Sequence, residues 1–138
     1  MRALTFFALV VLAAGCNTPK NAKTKMNELN GTWIPVSQEM GGKQFPAAVL
    51  EKQKLIIDNN RYTVIAESVD KGEVVYKEGG KMDINGKEGT NAGKHFTAIY
   101  KYENGQLTVC YNLAGDGYPE AFETKGKPMY FLSVFKRG

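Results

Sequence analysis

The 138-residue chain has one histidine, two cysteines and no apolar stretch that approaches the roughly 20 residues of a membrane-spanning helix. A single histidine excludes a multi-histidine metal site, and no Cys/His pattern has zinc-ligand spacing. The two cysteines, Cys16 and Cys110, are too few for a disulfide framework. We therefore predict neither a metal ion nor a cofactor.

The formal net charge of +4 does not indicate a nucleic-acid partner, because the excess positive charge precedes the folded region. Most of it comes from Arg2, Lys20, Lys23 and Lys25. Residues 29–138 contain 14 basic and 13 acidic side chains. Without a concentrated basic face, the folded region lacks the electrostatic footprint of a phosphate-backbone binder. We predict no binding to nucleic acid.

The first sixteen residues have the pattern of an export signal. Arg2 precedes a twelve-residue apolar run, residues 3–14, which has the length of a signal-peptide core. The run ends in the sequence LAAGC, which resembles the lipobox of bacterial lipoproteins. The resemblance implies a signal peptide over residues 1–15 and acylation of the Cys16 thiol. The alternative is an ordinary secretory signal with an incidental cysteine.

Residues 16–28 are predicted to be the lipidated cysteine followed by a flexible polar tether, which packs against nothing. The lipid would anchor the protein to a membrane of the cell envelope, on the extracytoplasmic side. The sequence does not distinguish the inner membrane from the outer membrane as the site of anchoring. Cys110 lies in an apolar strand-like run and is interpreted as a buried free thiol.

Residues 29–138 form a succession of short β-type runs separated by turn signals, with one short helix predicted over residues 45–52. The runs cover residues 32–40, 54–58, 61–67, 73–77, 81–84, 95–102, 106–113 and 129–136. Residues 85–94 are predicted to be a loop, and residues 115–127 a long irregular connection. About eight such strands favour an all-β domain, a small antiparallel barrel.

The ends of this region carry a family resemblance. Gly31-Thr32-Trp33 and Lys136-Arg137 resemble the Gly-x-Trp motif of lipocalin-like barrels and the basic residue that covers its tryptophan. Further stretches resemble a functionally uncharacterised lipocalin-like domain abundant in planctomycete-type bacteria, over residues 29–138. They include LNGTW, RYTV, GQLTVCY and VFKR. One departure is Tyr118-Pro119, where Arg-Pro is expected. The resemblance implies a fold and no catalytic residues.

The same residues predict how the barrel closes. In a closed antiparallel meander the first and last strands are neighbours, so the start of one lies beside the end of the other. We therefore expect the Arg137 guanidinium within about 6 Å of the Trp33 ring, a cation–π contact. Gly31, Trp33 and Arg137 would form this structural closure.

No arrangement of residues indicates catalysis. His95 could form a triad only with Ser37, Ser68 or Ser133, and none of these serines has a nucleophile-elbow context. We predict that the protein is not an enzyme.

The tyrosines suggest a binding function instead, because a tyrosine offers both apolar area and a hydroxyl. Tyr62, Tyr100, Tyr102 and Tyr111 are the candidate pocket for a small apolar or amphipathic ligand. The predicted function is that of a non-catalytic envelope lipoprotein that binds such a ligand or a partner protein of the envelope. The alternative is a structural or interaction module whose barrel core is filled. A cavity of about 300 Å³ or more would favour binding.

Overall fold

The computed structural model describes residues 28–138. The predicted signal peptide, Cys16 and the tether up to residue 27 lie outside the described residues. No helix in the described part is long and apolar enough to cross a membrane. This part contains nine strands and the short helix α1. In chain order they are β1 Gly31–Met40, β2 Lys43–Gln44, α1 Ala47–Leu50, β3 Lys54–Asp58, β4 Arg61–Ile65, β5 Val69–Lys77, β6 Lys81–Glu88, β7 His95–Glu103, β8 Gln106–Asn112 and β9 Tyr130–Arg137.

The strands form one antiparallel sheet that closes on itself. From β3 to β9 each strand pairs with the next, and β1 pairs with both β3 and β9. The result is an eight-stranded barrel, to which β2 adds a short pairing with the end of β1. Closure leaves the eight strands without a free edge. The predicted all-β antiparallel barrel is confirmed.

Alternation of side chains along the strands builds the core. On β5, Gly72, Val74 and Tyr76 are buried, while the intervening Glu73 and Val75 are exposed. Successive side chains of a strand point to opposite faces, so the buried set shares the interior of the barrel. The other strands contribute to one continuous apolar cluster in the same way.

Two strands are longer than the sequence analysis predicts. Strand β5 begins at Val69, not at residue 73, and β6 continues to Glu88 through part of the predicted loop 85–94. Gly72 and Gly86 are register partners on these strands, so each lies within paired strand and not in a turn. A Cβ on Gly72 would collide with the Asn85 carbonyl and lie 2.7 Å from the Tyr62 ring. Glycine at these two positions therefore permits close packing of neighbouring groups. The local sequence pattern does not distinguish such a glycine from one in a turn.

The first strand and the helix also differ in detail from expectation. Helix α1 is a single turn, and its one buried residue is Leu50. A bulge between Pro35 and Ser37 interrupts the alternation of β1. Because of this bulge, Pro35 and Gln38 are both buried although they are three residues apart.

The antiparallel order separates the connections into two ends. The tight turns at residues 59–60, 78–80 and 104–105 lie at the end of the barrel that contains Trp33. The connections at residues 41–53, 66–68, 89–94 and 113–129 lie at the opposite end, called here the open end.

The longest connection, residues 113–129, packs on the outer wall of the barrel. The Thr97 hydroxyl donates a hydrogen bond to the Gly117 carbonyl at 2.6 Å. The Thr124 hydroxyl donates to the Glu39 carboxylate and accepts from the Gly42 amide. Cys110 lies beneath this segment, fully buried and without a disulfide, and burial raises the pKa of its thiol.

Candidate functional site

The closed end of the barrel is built around Trp33, which is 0% exposed. Its indole N–H donates a hydrogen bond to the Leu29 carbonyl at 2.8 Å, and the Tyr102 ring meets it edge-on at 5.7 Å. The guanidinium carbon of Arg137 lies 4.3 Å from the centroid of the indole ring. The cation–π contact that we expected within about 6 Å is therefore present.

Arg137 also forms hydrogen bonds with the segment that precedes β1. Its two terminal nitrogens donate hydrogen bonds to the carbonyls of Asn30, at 2.8 Å, and Glu28, at 2.6 Å. Gly31 has a φ of +134°, and a Cβ there would lie 3.0 Å from an Arg137 nitrogen, so glycine suits this position. Residue 28, the last residue of the predicted tether, is therefore bound to the barrel through its backbone carbonyl.

A cavity of about 200 Å³ lies inside the barrel. Its lining reaches from Tyr62, Tyr76 and Met82, which lie close to the turns of the closed end, to the open end, and neither Trp33 nor Tyr102 lines it. Its walls are mainly apolar and aromatic, and they include Leu55, Ile57, Tyr62, Val64, Val74, Tyr76, Met82, Ile84, Phe96, Leu107, Val109, Tyr111, Leu113, Phe131 and Phe135. The volume is below the value of about 300 Å³ set out above, which limits an occupant to a small molecule.

Two of the four predicted pocket tyrosines line this cavity. Tyr62 and Tyr111 do so, whereas Tyr102 packs on Trp33 at the closed end. Tyr100 is not part of the lining and meets the Tyr76 ring edge-on at 5.8 Å. Tyr76 does line the cavity and was missed, although its place in the alternation of β5 predicts that it faces inward.

The tyrosine hydroxyls of the cavity remain neutral at physiological pH. Burial, followed by the proximity of Tyr100, raises the pKa of Tyr76 to about 12. Burial also raises the pKa of Tyr111, and burial together with the nearby Asp70 raises that of Tyr62. The tyrosines therefore contribute uncharged polar groups to an otherwise apolar wall.

One polar cluster of the cavity is an amide pair. Gln38 and Gln53 donate to each other, at 2.8 and 2.9 Å, and Gln38 also donates to the buried Ser133 hydroxyl at 3.2 Å. Gln38 is buried, so these bonds satisfy an amide that would otherwise be costly inside the barrel. The alternation pattern of the sequence does not single out Gln38, because the bulge in β1 turns it inward.

The cavity is also lined by Asp70, at the start of β5, and by Lys54, at the start of β3. Asp70 belongs to the inward-facing set of β5. Its Oδ1 accepts a hydrogen bond from the backbone N–H of Asn91 at 3.3 Å. Lys54 precedes the inward-facing Leu55 and is exposed, so its position directs it outward.

The single histidine lies on the outer wall. His95 Nε2 is 3.4 Å from Asp83, whose carboxylate also binds the Lys77 ammonium at 2.5 Å and accepts from the Tyr118 hydroxyl at 2.8 Å. Burial alone would raise the pKa of Asp83, but the hydrogen bonds from Lys77 and Tyr118 outweigh it and lower that pKa. The hydrogen bond to Asp83 raises the pKa of Lys77 to about 12. Tyr118 thus makes the polar contact at the position where the resemblance leads us to expect arginine.

Within residues 28–138, no three His, Cys, Asp or Glu side chains come together in a group that could hold a metal ion. No protein-family model, curated protein or solved structure matches this chain. The assignment of the fold as a barrel therefore rests on the strand pairing alone. The resemblance to the planctomycete-type domain and to lipoproteins remains a prediction.

Proposed function

We propose that the barrel binds a small apolar or amphipathic molecule in its interior cavity and performs no catalysis. The observation that supports this proposal is the cavity of about 200 Å³ with apolar walls and a few polar groups. Small-molecule sites in proteins have this composition, in which apolar contacts supply affinity and a few polar groups fix orientation.

The volume sets the size of the ligand. An engineered apolar cavity of about 150 Å³ admits benzene, while sites for drug-sized molecules measure about 300–1,000 Å³. A cavity of about 200 Å³ therefore suits a single ring or a chain of about six carbons. It is too small for a whole diacyl lipid.

The cavity is smaller than the roughly 300 Å³ named as favouring binding, but it is larger than the voids of a close-packed core, and on this ground we favour binding over a purely structural barrel. A filled core reaches the packing density of an organic crystal and leaves few voids larger than a water molecule. The proposal of a non-catalytic function is supported by the position of His95, which lies on the outer wall and contacts Asp83 there. The polar groups Gln38, Gln53 and Ser133 mainly satisfy one another.

Two matched substitutions on β5 distinguish an open interior from a filled one. Val74 is buried and lines the cavity, while its neighbour Val75 is exposed on the outer face. Val74→Phe should fill the cavity and abolish binding of 1-hexanol in calorimetric titration. Val75→Phe should leave binding unchanged. In a filled core the same enlargement at position 74 would instead cost about 1–3 kcal/mol of stability, and the unaltered protein would not bind the alcohol.

We also infer that the protein is a lipoprotein of the cell envelope, anchored through Cys16 on the extracytoplasmic side. The sequence LAAGC after an apolar run supports this inference. In the native host, Cys16→Ser should abolish incorporation of a labelled fatty acid, and the matched variant Cys110→Ala should retain it. Persistent labelling of Cys16→Ser would show that the lipid attaches elsewhere.

A further inference from the structure

The acidic residue that lines the cavity faces inward, whereas the basic one does not. Asp70 lies on the inward face of β5, beside the inward-facing Val64 of β4. Lys54, the one basic residue of the lining, is exposed and precedes the inward-facing Leu55. Among residues 28–138, the Lys77 ammonium and the His95 ring both pair with Asp83 on the outer wall, and no salt bridge neutralises Asp70.

Asp70 retains capacity for a further hydrogen bond. Its Oδ1 accepts one bond, from the Asn91 amide at 3.3 Å, and a carboxylate offers about four acceptor positions. The cavity that Asp70 lines is rich in aromatic rings, which come from Tyr62, Tyr76, Phe96, Tyr111, Phe131 and Phe135, and Tyr62 lies near enough to feel the Asp70 charge. Aromatic faces attract a cation, and a carboxylate pairs with it directly.

We propose that the ligand is a small amphipathic amine, whose ammonium group binds Asp70 near the rim while its apolar part occupies the cavity. This assignment rests on the proposed function and adds the charge class of the ligand. An ammonium group is costly to bury unless it is paired, and Asp70 supplies the partner. An anionic headgroup at the same place would meet the Asp70 carboxylate and no inward-facing cation.

Three probes of nearly equal size test the charge class at pH 7. They are hexylamine, 1-hexanol and hexanoate, which are cationic, neutral and anionic, and their affinities are measured by calorimetric titration. We expect hexylamine to bind at least tenfold more tightly than hexanoate, with 1-hexanol between them. This comparison uses the unaltered protein and does not depend on the folding of a variant.

Two variants on β5 locate the effect. Asp70→Asn removes the charge but keeps an oxygen that can accept from the Asn91 amide. Glu73→Gln removes a charge from the outer face of the same strand, where Glu73 is exposed. Asp70→Asn should bring the affinities for hexylamine and hexanoate within about threefold of each other and leave 1-hexanol unchanged. Glu73→Gln should leave the binding of all three probes unchanged.

The outcomes separate the two proposals. If 1-hexanol binds and hexanoate binds as tightly as hexylamine, the amine assignment is wrong and the proposed function stands. An amine preference that survives Asp70→Asn also overturns the assignment. If none of the three probes binds, the proposed function fails and the amine assignment fails with it.

Discussion

Arg137 and Trp33 are register partners on neighbouring strands, and the guanidinium carbon of Arg137 lies 4.3 Å from the centroid of the indole ring. The pair joins the end of β9 to the start of β1. Arg137 also binds the carbonyls of Glu28 and Asn30, so one side chain covers the tryptophan and fixes the entry of the chain into the barrel.

The two residues should contribute unequally to stability. Trp33→Ala should lower the free energy of unfolding by about 3–5 kcal/mol, because it empties a fully buried site. Arg137→Ala should cost less, about 0.5–2 kcal/mol, because the cation–π contact and the two hydrogen bonds that it removes lie at the surface. Arg137→Lys should retain part of the effect. Urea denaturation measures all three, and equal costs for the first two would contradict this division.

Tyr100 offers a test of a buried polar group. Its hydroxyl is the one buried side-chain polar atom without a hydrogen-bond partner among the described residues. Tyr100→Phe removes this unsatisfied group and should leave the free energy of unfolding unchanged or raise it by up to about 1 kcal/mol. The matched variant Tyr118→Phe loses the hydrogen bond to Asp83 and should be destabilising. A marked loss of stability in Tyr100→Phe would show that its hydroxyl has a partner in solution.

Asp83 should make the attachment of the long connection sensitive to acid. The pKa of Asp83 is below its ordinary value, so its carboxylate stabilises the fold above the ordinary aspartate pKa. This contribution is lost as the pH falls through the lowered pKa. We expect the amides of Ala114 and Gly115 to exchange hydrogen several-fold faster in Asp83→Asn at neutral pH. Unchanged exchange there would show that Asp83 does not hold the connection.

Gly72 should tolerate no side chain. A Cβ at this position would collide with the Asn85 carbonyl and with the Tyr62 ring, which belong to the two strands that flank β5. Gly72→Ala should therefore destabilise the barrel by about 2 kcal/mol or more, a cost typical of overpacking. A matched substitution is Gly93→Ala. A Cβ at position 93 would meet open space, but the backbone there has a positive φ, so this substitution should lower the free energy of unfolding by about 1 kcal/mol. Thermal or urea unfolding measures both.

Much of the fold could be predicted from the sequence, because alternating side chains and turn residues are local signals. The eight strands of the barrel follow from them, and the end-to-end contact of Trp33 with Arg137 follows from closure. The glycines misled the prediction at Gly72 and Gly86, where they lie within paired strands. A glycine in a turn and a glycine within a paired strand differ in the groups from other strands that pack against them. The residues adjacent in sequence do not reveal those groups.

The candidate site was predicted less completely. Alternation correctly places Tyr100 and Tyr102 with the inward-facing residues, but it does not give their height along the barrel axis. That height depends on strand register and on the space that Trp33 and Tyr76 occupy. Asp70 was missed because it precedes residue 73, at which the strand was expected to begin. Gln38 was missed because a bulge reverses the local alternation.

The central claim, an interior open to a small ligand, is tested most directly by titrating 1-hexanol into protein with labelled valine and isoleucine methyl groups. The largest chemical-shift changes should fall on Val74, Ile84 and Val109, which line the cavity, and should saturate. The outward-facing Val36 and Val75 serve as internal controls and should not shift. Saturable shifts confined to the inward-facing methyls are the predicted result. The absence of any shift at Val74, Ile84 and Val109, or shifts found only at Val36 and Val75, would contradict the account.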